Sequence, residues 1–324
     1  MTDRSTIVIK SYAKINLSID VLGRLPNGYH SIRTVMQQVD LFDTVRVSVR
    51  PGGADARIAL SAEAEDTDIT GLPTDGRNTA AQAARAFLEA FVPQFCGTVS
   101  VHLRKRIPIA AGLAGGSGDA AAVILALAHL LSSPHVGLRT PDKPSAHTER
   151  LMELGSRIGA DVPFCILGQA ALNRELGLAA GPSATCALAE GIGERLTPLP
   201  SPRGYAIIVK PDVSLSTAAV YAAFDRAVVR RRPDTDALVD GLRSGDFGKV
   251  RKNMINVLEI AVLKEYPEIA DMKRRLASAD AAECALMSGS GSSVFAWYRD
   301  RAACEIAYDA LRRAKKNVCM AELL

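Results

Sequence analysis

Phosphate chemistry is the first possibility the sequence raises. Residues 108–118 read PIAAGLAGGSG and run directly into an apolar helical pattern, DAAAVILALAHLL. Glycine lets the backbone take positive φ and approach a ligand closely, while the free N–H groups and dipole of a helix start favour an anion. The same residues also read as a tight turn into a buried helix, with Ser117 as a plain N-cap. Two better-known phosphate fingerprints do not fit. GSGDAA mimics a dinucleotide-binding turn, but no second strand ending in an acidic residue follows about 20 positions later. The helix instead gives way to the polar, proline-containing SSPHVGLRTPDKPS. Nor does a Lys-Ser or Lys-Thr follow the glycines, as a Walker A loop requires.

Other residues gain interest beside that loop. Lys14 and Asn16 lie two apart in a strand-like run and so point to one face; taken alone, they read as a solvated strand face. Tyr29 and His30 follow a Pro26-Asn27-Gly28 turn. At a loop tip they are suited to stacking on a flat ligand and hydrogen-bonding it, or equally to packing. Asp161 precedes Val162 and Pro163, which is also a helix-start signal. Lys105 stands close to the glycine loop, within reach of a phosphate or simply at a strand edge.

Composition narrows the classes. A chain of 324 residues with 48% hydrophobic content suits two domains at roughly 100–200 residues each. The net charge of +4, from 39 basic and 35 acidic residues, calls for no nucleic-acid or membrane partner and suits an anionic small molecule. Cys96, Cys165, Cys186, Cys284, Cys304 and Cys319 form no CxxC and no zinc-like spacing with the histidines. They are expected to be reduced, in a cytoplasmic protein. The apolar run at 120–131 is shorter than the roughly 18 residues that span a bilayer, and no targeting segment is expected.

The elements that must position these residues follow from periodicity. Residues 5–22 predict one or two strands, 39–51 strands again, and 52–76 a polar loop. Asn78 caps an amphipathic helix, TAAQAARAFLEAF, and 98–109 predicts an alternating strand that delivers the chain to the glycine loop. A helix through 145–158 breaks at Gly159. Residues 173–186 are irregular and resemble an excursion. Beyond them come a strand at 205–211, a helix at 216–230 ending in a solvated Arg230-Arg231-Arg232 run, and helical patterns through 246–266 and 267–279. Two strand-like runs then flank a second Gly-Ser loop at 288–293, and a helix at 301–313 leads to a closing strand.

In this order AKIN at 13–16, GYH at 28–30, the glycine loop, GADVPF at 159–164, NVLE at 256–259 and SGSGSSVF at 288–295 resemble the motif regions of the GHMP kinases. The correspondence spans residues 11–296. AKIN with GYH narrows the resemblance to members acting on a cytidine diphosphate substrate. It implies an α+β, two-domain fold: an N-terminal ribosomal-S5-domain-2-like ATP-side domain at 1–175 and a ferredoxin-like domain at 176–324. It implies ATP-dependent phosphorylation of the tertiary 2-hydroxyl of 4-diphosphocytidyl-2-C-methylerythritol in non-mevalonate isoprenoid biosynthesis. Lys14 and Asp161 match the catalytic pair. Asn78, Lys105, Pro108, Ala110, Ala111, Gly112, Leu113, Ala114, Gly115, Gly116, Ser117 and Gly118 match the ATP side, with Ser117 a ligand for Mg2+. Asn16, Tyr29, His30, Thr217 and Tyr221 match the substrate side. The competing expectations are a homoserine or mevalonate type of kinase, and a catalytically weak nucleotide-binding regulator. Ala110 and Ala114 stand where the family has glycine, Gly118 where it has serine or alanine, and Asn27 where it has aspartate.

Overall fold

The computed structural model describes residues 5–131, 148–174, 183–314 and 317–324. In chain order they form β1 (Thr6–Arg24), β2 (His30–Pro51), β3 (Ala56–Ala64), α1 (Thr79–Phe91), β4 (Gly97–Lys105), α2 (Gly115–Leu131), α3 (Thr148–Ser156) and α4 (Val162–Leu172). They continue as β5 (Cys186–Gly191), β6 (Arg195–Leu199), β7 (Tyr205–Val209), α5 (Thr217–Phe224), α6 (Thr235–Ser244), α7 (Phe247–Asn253) and α8 (Glu259–Glu265). The chain ends with α9 (Pro267–Ala277), β8 (Cys284–Met287), β9 (Val294–Tyr298), α10 (Arg301–Ala314) and β10 (Val318–Glu322). Two compact units result. The first is Met1–Tyr12, Phe42–Ile109 and Ala114–Thr185; the second is Ala13–Leu41, Ala110–Leu113 and Cys186–Leu324. Each unit is assembled from three segments, whereas the expected domains are consecutive.

In the first unit the inward residues of β4, Val99, Val101 and Leu103, alternate with more exposed ones, as a strand with one buried face requires. β3 runs parallel beside it, and residues 44–51 of β2 run antiparallel on its other side. Helix α2 is apolar all round and accordingly buried almost throughout, packed with α1, α3 and α4 in one core. Asn78 caps α1 as its sequence predicts, its side chain accepting the Ala80 N–H at 2.9 Å.

The second unit pairs residues 32–37 of β2 antiparallel with β5, and β5 with β6. Its other sheet has the order β10-β7-β9-β8, all antiparallel. With helices between β7 and β8 and between β9 and β10, this is the β-α-β-β-α-β pattern of a ferredoxin-like domain. Apolar residues of α5, α8, α9 and α10 close its core.

Several elements differ from the sequence-based expectation. Residues 52–76 hold a strand, β3, whose mostly exposed polar side chains hide its period. The helical pattern through 246–266 is broken between α7 and α8, because Asn256 leaves the helix to bridge Ile19 of β1. Helix α5 stops at Phe224 rather than continuing to 230. The arginine run is not a helix end: Arg232 donates to Asp20 Oδ1 at 2.5 Å and to Val21 O at 2.8 Å, and Arg231 to Lys252 O at 3.2 Å. The segment 173–186, expected to be irregular, lies largely outside the described residues, as do residues 132–147. None of the six cysteines is in a disulfide, and no helix among the described residues is long and apolar enough to cross a membrane.

Candidate active site

In the second unit, Lys14 and Asn16 share one face of β1, but it is not a solvated face: each is only 3% exposed. Lys14 Nζ donates to Asn16 Oδ1 at 2.6 Å, and Asn16 Nδ2 donates to Thr34 Oγ1 at 2.8 Å. A buried ammonium is costly unless hydrogen-bonded, and the Asn16 amide oxygen supplies such a bond.

Loop 288–293 folds against the same lysine. Gly289 has φ +59°, and a methyl group there would stand 3.5 Å from Lys14 Nζ. Ser288 Oγ donates to Gly112 O at 2.9 Å, the Ser293 N–H donates to Ala111 O at 3.2 Å, and the Lys14 N–H donates to Leu113 O at 3.1 Å. Gly112 has φ +73°, and a methyl group would meet Ser288 O at 2.2 Å, so only glycine fits. Asn256 anchors the loop from behind. Its Nδ2 donates to Met287 O and Gly289 O, both at 2.8 Å, and its Oδ1 accepts the Leu258 N–H at 3.0 Å. Glu259 accepts the Met287 N–H at 2.8 Å and Lys273 Nζ at 2.5 Å. Burial raises the pKa of Glu259, and Lys273 pulls it back only in part.

The substrate-side residues form a second cluster in this unit. His30 Nε2 lies 2.7 Å from Asp225 Oδ1, and the His30 ring lies 4.8 Å from the Tyr221 ring, tilted by 30°. Tyr29 remains 60% exposed. Thr217, one turn before Tyr221 on α5, shares a 2.9 Å hydrogen bond with Ser290 of the Gly-Ser loop. That bond ties the His30–Tyr221 cluster to the loop beside Lys14. Asp225 was missed by sequence reasoning; its only signal is its place four residues after Tyr221.

The first unit holds Pro108, Ala114, Gly115, Gly116, Ser117, Gly118, Asn78, Lys105 and Asp161. Ala114, like Ala110 in the other unit, lies in the left-handed region, at φ +58° and +51°. This conformation costs a non-glycine residue about 1–2 kcal/mol, a cost that glycine would not bear. Gly118 has a local reason too. A methyl group there would meet Ser11 Oγ at 2.6 Å and Tyr12 O at 3.4 Å, so Ser11 occupies the space that a larger residue would need. Thr79 Oγ1 donates to Gly116 O at 2.8 Å, joining the start of α1 to the start of α2. Both ends of the Asn78 amide are used, since its Nδ2 donates to Pro73 O at 2.8 Å.

Asp161 sits at the N-cap of α4 with helical dihedrals, φ −84° and ψ −12°, and its side chain makes no capping bond. Helix initiation therefore does not account for this carboxylate; Pro163 in the first turn serves that role. Ser117 Oγ is 3.8 Å from where a methyl group at Gly159 would lie, next to the turn that carries Asp161. Lys105 is engaged elsewhere, donating to both Asp43 and Asp119 in the interior. Burial first, and the Asp119 charge second, push Asp43 up to about 7 against the pull of Lys105. Burial acts to lower the pKa of Lys105, but the two carboxylates outweigh it and raise it. Neither Asp43 nor Asp119 was singled out in the sequence.

A Mg2+ ion would find few protein ligands here. Among the described residues no group of three or more His, Cys, Asp or Glu is placed to hold a metal. The Ser117 hydroxyl near the Asp161 turn supplies hard oxygen donors, which suits an ion bound mainly by substrate phosphates.

Comparison with known proteins bears on both units. The family profile described as GHMP kinases N terminal domain matches residues 78–169, and GHMP kinases C terminal matches 238–317. The chain is 38% identical to a 4-diphosphocytidyl-2-C-methyl-D-erythritol kinase of Caldicellulosiruptor saccharolyticus, over 96% of this chain and 92% of that one. It is 39% identical to a kinase of the same name from Alkaliphilus metalliredigens, over 94% and 92%. A crystal structure of 4-(cytidine 5'-diphospho)-2C-methyl-D-erythritol kinase superposes with TM-score 0.68 at 29% identity, covering 98% of this chain and 99% of that one. A homoserine kinase from Cytophaga hutchinsonii superposes with TM-score 0.69 at 19% identity, over 100% and 96%, which is likeness of fold alone.

Proposed function

The chain belongs to the GHMP kinases, and within them to the 4-diphosphocytidyl-2-C-methyl-D-erythritol kinases, and on that premise we propose that it transfers the γ-phosphoryl group of ATP to the 2-hydroxyl of 4-diphosphocytidyl-2-C-methylerythritol. Asp161 accepts the hydroxyl proton as the oxygen attacks phosphorus. Lys14 offsets the negative charge that develops. General-base action of this kind contributes about 10²–10⁴-fold. Because phosphoryl transfer passes through a loose transition state, positioning and electrostatics supply most of the rest. Residues 108–118 hold the ATP phosphates, with Asn78 shaping the approach to them. Ser117 would hold Mg2+, which when bound neutralises phosphate charge.

Tyr29, His30 and Tyr221 take the cytosine, with Asn16 and Thr217 as polar contacts. The observation that supports this best is the arrangement of the second unit: Lys14 hydrogen-bonded to Asn16, backed by loop 288–293, which reaches Thr217 one turn from the His30–Tyr221 pair. A reactive ammonium and an aromatic base-binding pair are thereby held by one short loop. ADP release in the presence of the cytidine substrate tests the proposal. Turnover with that acceptor is expected, and turnover only with homoserine or mevalonate would refute it.

A further inference from the structure

Three buried charges in the first unit have no part in the transfer as described. Lys105 ends β4, Asp43 stands on β2 and Asp119 lies one turn into α2, and they are 2%, 0% and 2% exposed. Lys105 Nζ donates to Oδ2 of both aspartates. Asp43 Oδ1 also accepts the backbone N–H groups of Arg106 at 2.6 Å and Ile107 at 2.8 Å. Ile107 in turn lies under the helix start: a methyl group on Gly115 would be 3.0 Å from Ile107 Cγ2 and 3.7 Å from Asp43 Oδ2. The cluster therefore fixes the turn that enters the glycine loop and the helix turn that leaves it.

Its chemistry is expensive for a purely structural part. Two carboxylates face one ammonium, and Asp119 Oδ1 is buried with no hydrogen-bond partner. Apolar residues of similar volume often stabilise a fold better than buried ions do, whereas ions impose a definite geometry. On the kinase reading given above, we infer that Asp43, Lys105 and Asp119 are positioning residues for ATP. They hold turn 106–107 and the first turn of α2 in register, and Lys105 serves the phosphates through that geometry rather than by touching them.

Asp119→Asn keeps the side-chain volume and removes one of the two negative charges that hold Lys105. The expected result is a KM for ATP raised about tenfold or more, on the scale that small misplacements cost, with the KM for the acceptor nearly unchanged. The dissociation constant of a non-hydrolysable ATP analogue should rise by the same factor. A phosphate-binding lysine restrained by Asp119 would give the opposite sign, and a fall in the KM for ATP overturns the inference. Unchanged kinetics with a lower melting temperature also overturns it, because the cluster is then only structural. The wild-type protein supplies a check that needs no variant: acetic anhydride should leave Lys105 unlabelled with and without ATP. Labelling that ATP prevents would identify a direct phosphate contact and overturn the inference. Analogue binding requires no turnover, so a chain that binds ATP yet phosphorylates no acceptor refutes the kinase reading and leaves the positioning role to be judged on binding alone.

Discussion

The start of α2 rests on Asp43, Lys105 and Asp119, whereas loop 288–293 rests on Asn256 and Ser288, with Glu259 balanced by Lys273. Both supports hold a glycine-bearing turn, and both use groups distant in sequence. They differ in charge. The first leaves one carboxylate in excess within the interior; the second consists mainly of neutral amide and hydroxyl donors to backbone carbonyls, with its one acid paired to one base. Neutral donors give direction at little electrostatic cost, while an unbalanced buried cluster responds to protonation and to loss of a single member. One turn is therefore held by directional hydrogen bonds and the other by an ion cluster.

Asn256→Ala should give the largest stability loss on the neutral side, because the buried Met287 carbonyl and the part-buried Gly289 carbonyl lose their donor. At roughly 1–3 kcal/mol for each unsatisfied group, urea unfolding should show a loss of about 2–6 kcal/mol. A loss well under 1 kcal/mol would mean the loop stands without its latch and would erase half of the comparison. The next effect separates the two supports by pH. Asp43 holds its proton more tightly folded than unfolded, so its contribution to stability is full below 3.8 and falls as pH rises toward about 7. Asp43→Asn should flatten that part of the melting-temperature curve, and Asn256→Ala should leave its slope alone. Identical slopes in the wild type and Asp43→Asn would show that the charged cluster does not titrate there. The smallest effect concerns the loop itself: Ala110→Gly and Ala114→Gly should each stabilise by up to about 1 kcal/mol, since each alanine lies at positive φ. A lower melting temperature in either variant would mean its methyl group packs well enough to outweigh the strain.

Several local pieces of the molecule were legible in the sequence. Lys14 and Asn16 follow from strand alternation, Asn78 from capping chemistry, and loop 288–293 from two apolar runs around Gly and Ser, because each depends on neighbouring residues. What Asn256 does was not legible. Its segment carries a helical pattern, and only the bridge to Ile19 and the two carbonyls at Met287 and Gly289 pull it out of the helix. The charged support was still more hidden. Lys105 reads as a strand-end lysine near phosphates, and its partners at Asp43 and Asp119 lie 62 and 14 residues away, with no periodicity to connect them. Strand β3 escaped because its exposed side chains carry little hydrophobic pattern. Asp225 was unremarked because an acidic residue near a helix end needs no partner, and its bond to His30 spans 195 residues.

Both supports matter to function only if a proton is removed where the phosphoryl group arrives, and Asp161 is the residue proposed to remove it. Measuring ATP binding and acceptor phosphorylation together in Asp161→Asn tests this most directly. The account predicts ATP binding close to that of the wild type with transfer reduced about 10²–10⁴-fold. Transfer close to the wild-type rate would contradict it.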